Sequence, residues 1–401
     1  MEQKKEKAVL AIGIFFWTAI SVGFCGIGIK YILLGLLMLC ATQGVLNKKL
    51  SLDKESILLL TGMLAYSIGS QADFGWTVRM TFIPFLFYYY GKSVIELYDQ
   101  ERREQRTKVL VMILSLGLLM GGILNAVSWY RHGFEGGRRW AEFWSGRILP
   151  ATQHVFWGVL ISGLMFYGLY YWKKNKLLNG LVVLGGLWSV WFSLFTKSRT
   201  LVIIFALVLG FNIVLYCCLN WHDEDKRYKI KNIWIGILIL CVLAIAAYCF
   251  NVGGISDFMK SSIWGRDGGI FHNVRFEAQI SVMKQLFKYP FGGRQMDLAG
   301  LNYAHNVWLD MANTAGLIPF ILVAIYTVVT AYGLIKLIRS HTVGQEIKYL
   351  IASAYISLFL YYMVEPAFDA NLMYWSFWML ICGLVKGNIQ NVSPMKYDIT
   401  K

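Results

Sequence analysis

The pentapeptide Thr196-Lys197-Ser198-Arg199-Thr200 leads without a break into LVIIFALVLGFNIVLYCCL, Leu201–Leu219, which contains no charged side chain. A run of this length matches the roughly 20 residues that cross a 30 Å hydrocarbon core as a helix. Lipid offers the backbone no hydrogen-bond partners, so such a run closes its own N–H and C=O groups and becomes helical. Another apolar stretch, ending at Phe195, stands immediately before Thr196. The charges of Lys197 and Arg199 therefore sit in a turn too short to be a real loop. This arrangement predicts a polytopic helical membrane protein.

Working outward, similar stretches precede and follow. They are Ala8–Phe24, Tyr31–Leu46, Ser56–Gly69, Met80–Leu97, Val109–Ser128, Ala151–Trp172, Gly180–Phe195, Leu201–Leu219, Ile233–Phe250, Thr314–Leu337, Tyr349–Val364 and Leu372–Val385. Composition agrees: 57% of the 401 residues are hydrophobic, 15% are charged, and the mean hydropathy is +0.51. An ordinary soluble domain is excluded. The expected fold is an all-α integral membrane protein of about twelve transmembrane helices, forming one polytopic domain over residues 1–401. No repeat, Pro-rich linker or low-complexity tract divides it.

Orientation follows from the basic loops. Met1–Lys7, Asn47–Glu55, Tyr98–Lys108, Lys173–Asn179, Asn220–Asn232, Ile338–Lys348 and the tail after Lys386 alternate with the other loops, which places both termini on the cytoplasmic side. The net charge of +15 is then a topology signal rather than a nucleic-acid footprint. The basic start followed by Ala8–Phe24 has no small-residue cleavage site after it and reads as a retained first span. The seven Cys lie in or beside apolar stretches with no metal spacing, and read as small apolar side chains.

Lys predominates on the cytoplasmic face, Arg on the other. The planar guanidinium fork matches phosphate oxygens in a way that a Lys point charge does not. The loop Trp129–Pro150 carries Arg131, Arg138, Arg139 and Arg147 against the topological bias. Its Trp129, Tyr130, Phe134, Trp140, Phe143 and Trp144 fit either an interfacial aromatic belt or the lining of a glycan path. Arg199, at the start of the eighth span, fits either a phosphate clamp beside a helix N-terminus or a snorkelling charge bounding a turn.

The longest hydrophilic segment, residues 251–313, is expected outside, between the ninth and tenth spans, and partly helical. Phe276, Ile280, Met283 and Phe287 recur at helical spacing. Arg275, Glu277, Gln279, Lys284 and Lys288 fill the rest, which predicts an amphipathic helix on the bundle or the membrane surface, ended by Pro290 and Gly292-Gly293. A second short helix is expected from near His305 into the tenth span. By spacing alone, Arg275 is an ordinary surface charge and His305 a core or capping residue. A neutral imidazole can nevertheless take a proton from a sugar hydroxyl.

Arg275, Tyr289-Pro290-Phe291-Gly292-Gly293, His305-Asn306-Val307-Trp308-Leu309 and Gly316-Leu317-Ile318, with Ser198-Arg199, resemble the O-antigen ligase and polymerase superfamily of bacterial surface polysaccharide assembly. The topological likeness covers nearly the whole chain, and the motifs cover Thr196–Thr200 and Arg275–Pro319. The chain departs from the family pattern in three places. Gly292-Gly293-Arg294 stands for Gly-x-Gly, Asn313 and Thr314 stand near the place of a usual acidic residue, and Pro319 stands where Gly is common.

The resemblance implies a metal-independent, inverting glycosyltransferase without a cofactor, in the bacterial cytoplasmic (inner) membrane, with its site on the extracytoplasmic face. Arg199 and Arg275 would engage the diphosphate of an undecaprenyl-linked donor, and His305 the acceptor hydroxyl. Arg138, Arg139, Arg294 and Asn306 are candidate substrate contacts; Glu365 and Asp369, flanking Pro366, are candidate acidic partners or merely solvate a turn. Implied partners are the lipid-linked oligosaccharide donor, the acceptor glycan, membrane lipids, a flippase and a chain-length regulator, with no nucleic acid. Polymerase is the expected activity. Ligase-type transfer to lipid A core or another acceptor is the alternative, and a polysaccharide flippase the competing class.

Overall fold

The computed structural model describes residues 2–26, 29–47, 52–96, 98–131, 139–196, 198–221, 223, 246–247, 249–252, 256, 274–365 and 368–389. The first helices are α1 (Glu2–Val22), α2 (Ile29–Asn47), α3 (Lys54–Gly69), α4 (Phe74–Glu96) and α5 (Gln100–Arg131). A two-stranded antiparallel hairpin follows, β1 (Arg139–Ala141) with β2 (Ile148–Pro150), pairing Trp140 with Leu149. Next come α6 (Ala151–His154), α7 (Phe156–Gly163), α8 (Met165–Tyr170), α9 (Lys176–Phe195) and α10 (Arg199–Asn220). After the hydrophilic segment begin α11 (Val274–Gln285), α12 (Val307–Ala315), α13 (Leu317–Arg339), α14 (Gln345–Tyr362) and α15 (Phe368–Ile389).

The protein is thus overwhelmingly helical. Five described helices are long and apolar enough to cross a membrane: Gln100–Arg131, Lys176–Phe195, Arg199–Asn220, Leu317–Arg339 and Leu372–Ile389. The expected ninth stretch, Ile233–Phe250, falls almost entirely outside the described residues. Each of the other stretches falls on helix, with differences of detail. Ala151–Trp172 is three short helices separated at Val155 and Leu164, both of which keep right-handed helical dihedrals. The tenth span does not receive a helix running in from His305. α12 starts at Val307 and stops at Ala315, because Gly316 takes φ 93°, and α13 begins afresh at Leu317.

Packing centres on α15, which lies along α4 and also touches α13 and α14. The α4–α15 contact is close because it is made through glycine. A methyl group at Gly91 would collide with the Leu380 carbonyl, and one at Gly383 with that of Tyr88. Small residues of this kind let two backbones approach inside a bilayer, where hydrophobicity does not distinguish protein from lipid. Around the seam, Trp375, Trp378, Tyr88 and Phe87 are fully buried.

The two ends of the bundle differ in chemistry. At one end, ion pairs tie helix termini together: Lys92 to Asp53 at 2.9 Å, Lys174 to Glu346 at 2.7 Å, and Lys386 to Glu55 at 2.7 Å. Asp53 also caps α3 by accepting from Ser56 N at 2.7 Å. At the other end lie the start of α10, the start of α13 and the α14–α15 connection. Arg199, Arg275, His305 and Glu365 are there.

Candidate functional site

The segment between α11 and α13 is held by its own backbone. Leu317 N donates to Pro290 O at 2.8 Å, Gly293 N to Thr314 O at 3.0 Å, and Arg294 N to Asn313 O at 2.8 Å. These bonds knit Tyr289–Arg294 to Asn313–Leu317, so two stretches read separately in the sequence form one clamp. Gly292 (φ 73°) and Gly316 (φ 93°) meet inside it, where a Cβ on Gly292 would stand 2.5 Å from Gly316 N. Arg294, directly after the glycine pair, takes φ 57°. Its side chain is exposed on this turn.

His305 is presented by the same device. Its φ of 53° lies in the left-handed region, which costs a non-glycine residue of order 1–3 kcal/mol unless its surroundings over-determine it. Asp310 supplies that determination. Its two carboxylate oxygens accept from Ala304 N at 2.6 Å and Asn306 N at 3.2 Å, one on each side of His305. Asn306 is the N-cap of α12, accepting from Trp308 N and Leu309 N, while its Nδ2 donates to Met363 O at 3.3 Å. Asn306 is buried and its side chain is occupied by capping.

The candidates converge on Glu365, in the short connection between α14 and α15. Arg275, at the start of α11, donates from Nη1 to Glu365 Oε1 at 2.8 Å and to Val364 O at 2.9 Å. His305 Nδ1 stands 3.8 Å from Glu365 Oε2, within ion-pair range but beyond a hydrogen bond. Thr200, next to Arg199 in the first turn of α10, donates to Glu365 Oε1 at 3.4 Å. Gln279, one turn along α11 from Arg275, reaches His305 O at 3.4 Å and Met363 O at 3.3 Å. Ser198 occupies the N-cap position of α10 but makes no side-chain cap, and its hydroxyl is buried without a hydrogen bond among the described residues.

Burial sorts these groups. The Glu365 side chain is 3% exposed, whereas Arg275 keeps 27% and His305 20%. The carboxylate is thus behind, and the guanidinium and imidazole are in front. Burial by itself would raise the Glu365 pKa; the neighbouring His305 and the Arg275 cation outweigh it and hold the carboxyl below its ordinary value. Glu365 is therefore an anion that accepts from Arg275 and Thr200, with the His305 imidazole beside it.

The remaining expected contacts divide. Arg139 is exposed at the start of β1, on the hairpin. Arg138 lies outside the described residues, as does the side chain of Asp369, although its backbone falls in α15. The aromatic residues of the Trp129–Pro150 loop are not all a belt or a glycan path. Trp129 and Trp140 stack at 5.0 Å, Trp140 stacks on His154 at 3.9 Å, and both indoles are buried. The hairpin folds them inward by bonding to α5, with Ser128 Oγ on Ala141 O at 2.9 Å. Tyr130 is exposed, as a belt residue would be.

Asp310, Gln279 and Thr200 were not evident from sequence. Asp310 had one local signal, an acidic side chain in the first turn after an Asn cap. The other two are defined only by contacts over long sequence separations. No protein-family model matches the chain, and no curated protein is significantly similar to it.

Proposed function

We propose that the protein is a polysaccharide polymerase that transfers a lipid diphosphate-linked glycan onto another lipid-linked repeat unit, working as a metal-independent, inverting glycosyltransferase. In this reading the chain crosses the bacterial cytoplasmic membrane about twelve times with both termini inside. The Glu365 end of the bundle then faces out. The observation that carries the proposal is the convergence of Arg275, His305 and the first turn of α10 on one buried carboxylate.

Each group has a role suited to its surroundings. Arg275, whose side chain stays 27% exposed, offers its guanidinium to the donor diphosphate. Arg199 and the uncapped start of α10 add positive potential beside it. As the bond between the anomeric carbon and the diphosphate oxygen breaks, its electron pair passes to that oxygen. Fixed cations stabilise this charge without having to reorganise. His305 takes the proton of the attacking acceptor hydroxyl, whose oxygen forms the new glycosidic bond on the opposite face of the sugar. Glu365 orients the imidazole from Nδ1 and stabilises the imidazolium, leaving Nε2 for the acceptor. The 3.8 Å separation would shorten as the imidazole gains charge.

The test is chain growth by purified protein in detergent, supplied with undecaprenyl diphosphate-linked repeat units. Growth without any membrane barrier is expected, and its absence would favour a carrier. Full activity in His305→Ala, with loss in Arg199→Ala, would remove the base assignment and keep the clamp.

A further inference from the structure

Helix α11 has three faces rather than two. At about 100° per residue, Arg275, Ala278, Gln279 and Val282 share one flank. Phe276, Ile280 and Met283 share a second, roughly a third of a turn away, and Glu277, Ser281 and Lys284 the third. Burial follows this division. Ala278 and Val282 are wholly enclosed, packing with Met296, Leu298, Ala304 and Leu309, while Arg275 and Gln279 reach Glu365 and His305 O. The large apolar residues do not face the bundle. Phe276, Ile280 and Met283 are about half exposed, and Phe287 and Phe291, just beyond the helix, are 82% and 85% exposed.

This stripe is continuous with the exposed apolar face of α13. Leu317 N bonds to Pro290 O at 2.8 Å, which seats Phe291 beside the first turn of α13. α13 is one of the helices able to cross a membrane. Its outward residues Ile318, Ile321, Ile325, Val328, Tyr332 and Ile335 are all exposed, at the spacing of one helix face. Exposed Glu277, Lys284 and Lys288 border the stripe on its polar side.

We infer that α11 is an in-plane membrane helix. Its apolar flank lies in the headgroup–acyl boundary of the leaflet at which α13 begins, its polar flank of Glu277, Ser281 and Lys284 faces water, and the remaining flank carries Arg275 and Gln279 to Glu365 and His305. A helix of this kind is buried about 5–10 Å into the interface. The leaflet, rather than the bundle alone, then sets the height of Arg275.

The test places a photoreactive benzoylphenylalanine at position 287 of the full-length protein in phospholipid nanodiscs, with position 284 as the aqueous control. Position 291 serves as a second probe should the first variant fold poorly. After irradiation, intact-mass measurement is expected to show phospholipid adducts at 287 and 291, at least tenfold more abundant than at 284. Cross-linking to a second copy of the chain, or adducts no more frequent at 287 and 291 than at 284, would overturn the inference. The readout is independent of enzymatic activity, so it stands or falls apart from the proposed reaction.

Discussion

Arg275 Nη1 lies 2.8 Å from Glu365 Oε1, joining residues 90 positions apart in the sequence. The pair links α11, which carries the hydrophilic segment, to the α14–α15 connection. His305 and Thr200 stand at the same carboxylate. Because Glu365 is buried and paired, removing its charge takes a carboxylate partner from a partly buried guanidinium.

Glu365→Gln is therefore expected to destabilise the protein by about 1.5–3 kcal/mol, the range for a hydrogen bond to a charged group. It should also reduce chain growth at least 100-fold, since it releases both Arg275 and His305. Thermal unfolding in detergent checks the first effect and the polymerisation assay the second.

Acid should act through the same group. A carboxyl with a depressed folded pKa contributes stability above its unfolded value, about 4.3 for Glu, and loses that contribution as pH falls through the folded value. The stability advantage of wild type over Glu365→Gln is expected to be retained at pH 5 and above. It should shrink only below the ordinary carboxylate range. A difference that disappears between pH 6 and 7 would show that another group governs the cluster.

Asp310 offers a sharper separation of scaffold from chemistry. Asp310→Ala strands two buried amides, those of Ala304 and Asn306, at about 1–3 kcal/mol each, and releases His305 from its left-handed conformation. Activity should fall as far as in His305→Ala. Asp310→Asn keeps one acceptor and should retain a measurable fraction.

Within the clamp, Gly292→Ala and Gly316→Ala should be worse than Gly293→Ala. All three glycines have positive φ, which costs Ala roughly 1–2 kcal/mol. At Gly293 the new methyl meets nothing nearer than Gln295 Nε2 at 3.5 Å, whereas at the other two it strikes backbone. Limited proteolysis of the 290–316 region is expected to speed up in that order.

Much of this was legible in the sequence because the governing forces are local. Apolar length fixed the helices on either side of Arg199, and glycine and proline punctuation marked the clamp. Arg275 and His305 were singled out by the family resemblance, since spacing alone left them a surface charge and a core or capping residue. Direction was harder to read. The stripe Phe276–Ile280–Met283 has the spacing of a core face, yet faces out, because Ala278 and Val282 are small enough for the closer contact with the bundle. Trp129 and Trp140 resembled interface residues because nothing local announces a three-residue hairpin that turns them inward. Asp310 could be seen only as a helix-start acid, since its work is done on amides that precede the helix.

The most direct test of the central claim is a double-mutant cycle on chain growth, using Arg199→Lys and Arg275→Lys singly and together. If both guanidinium groups hold one diphosphate, each single change costs at least tenfold. The double variant is then less impaired than the product of the two, because residues acting as a unit are not additive. Effects that multiply without coupling, or an Arg199→Lys variant as active as wild type, would contradict a shared site.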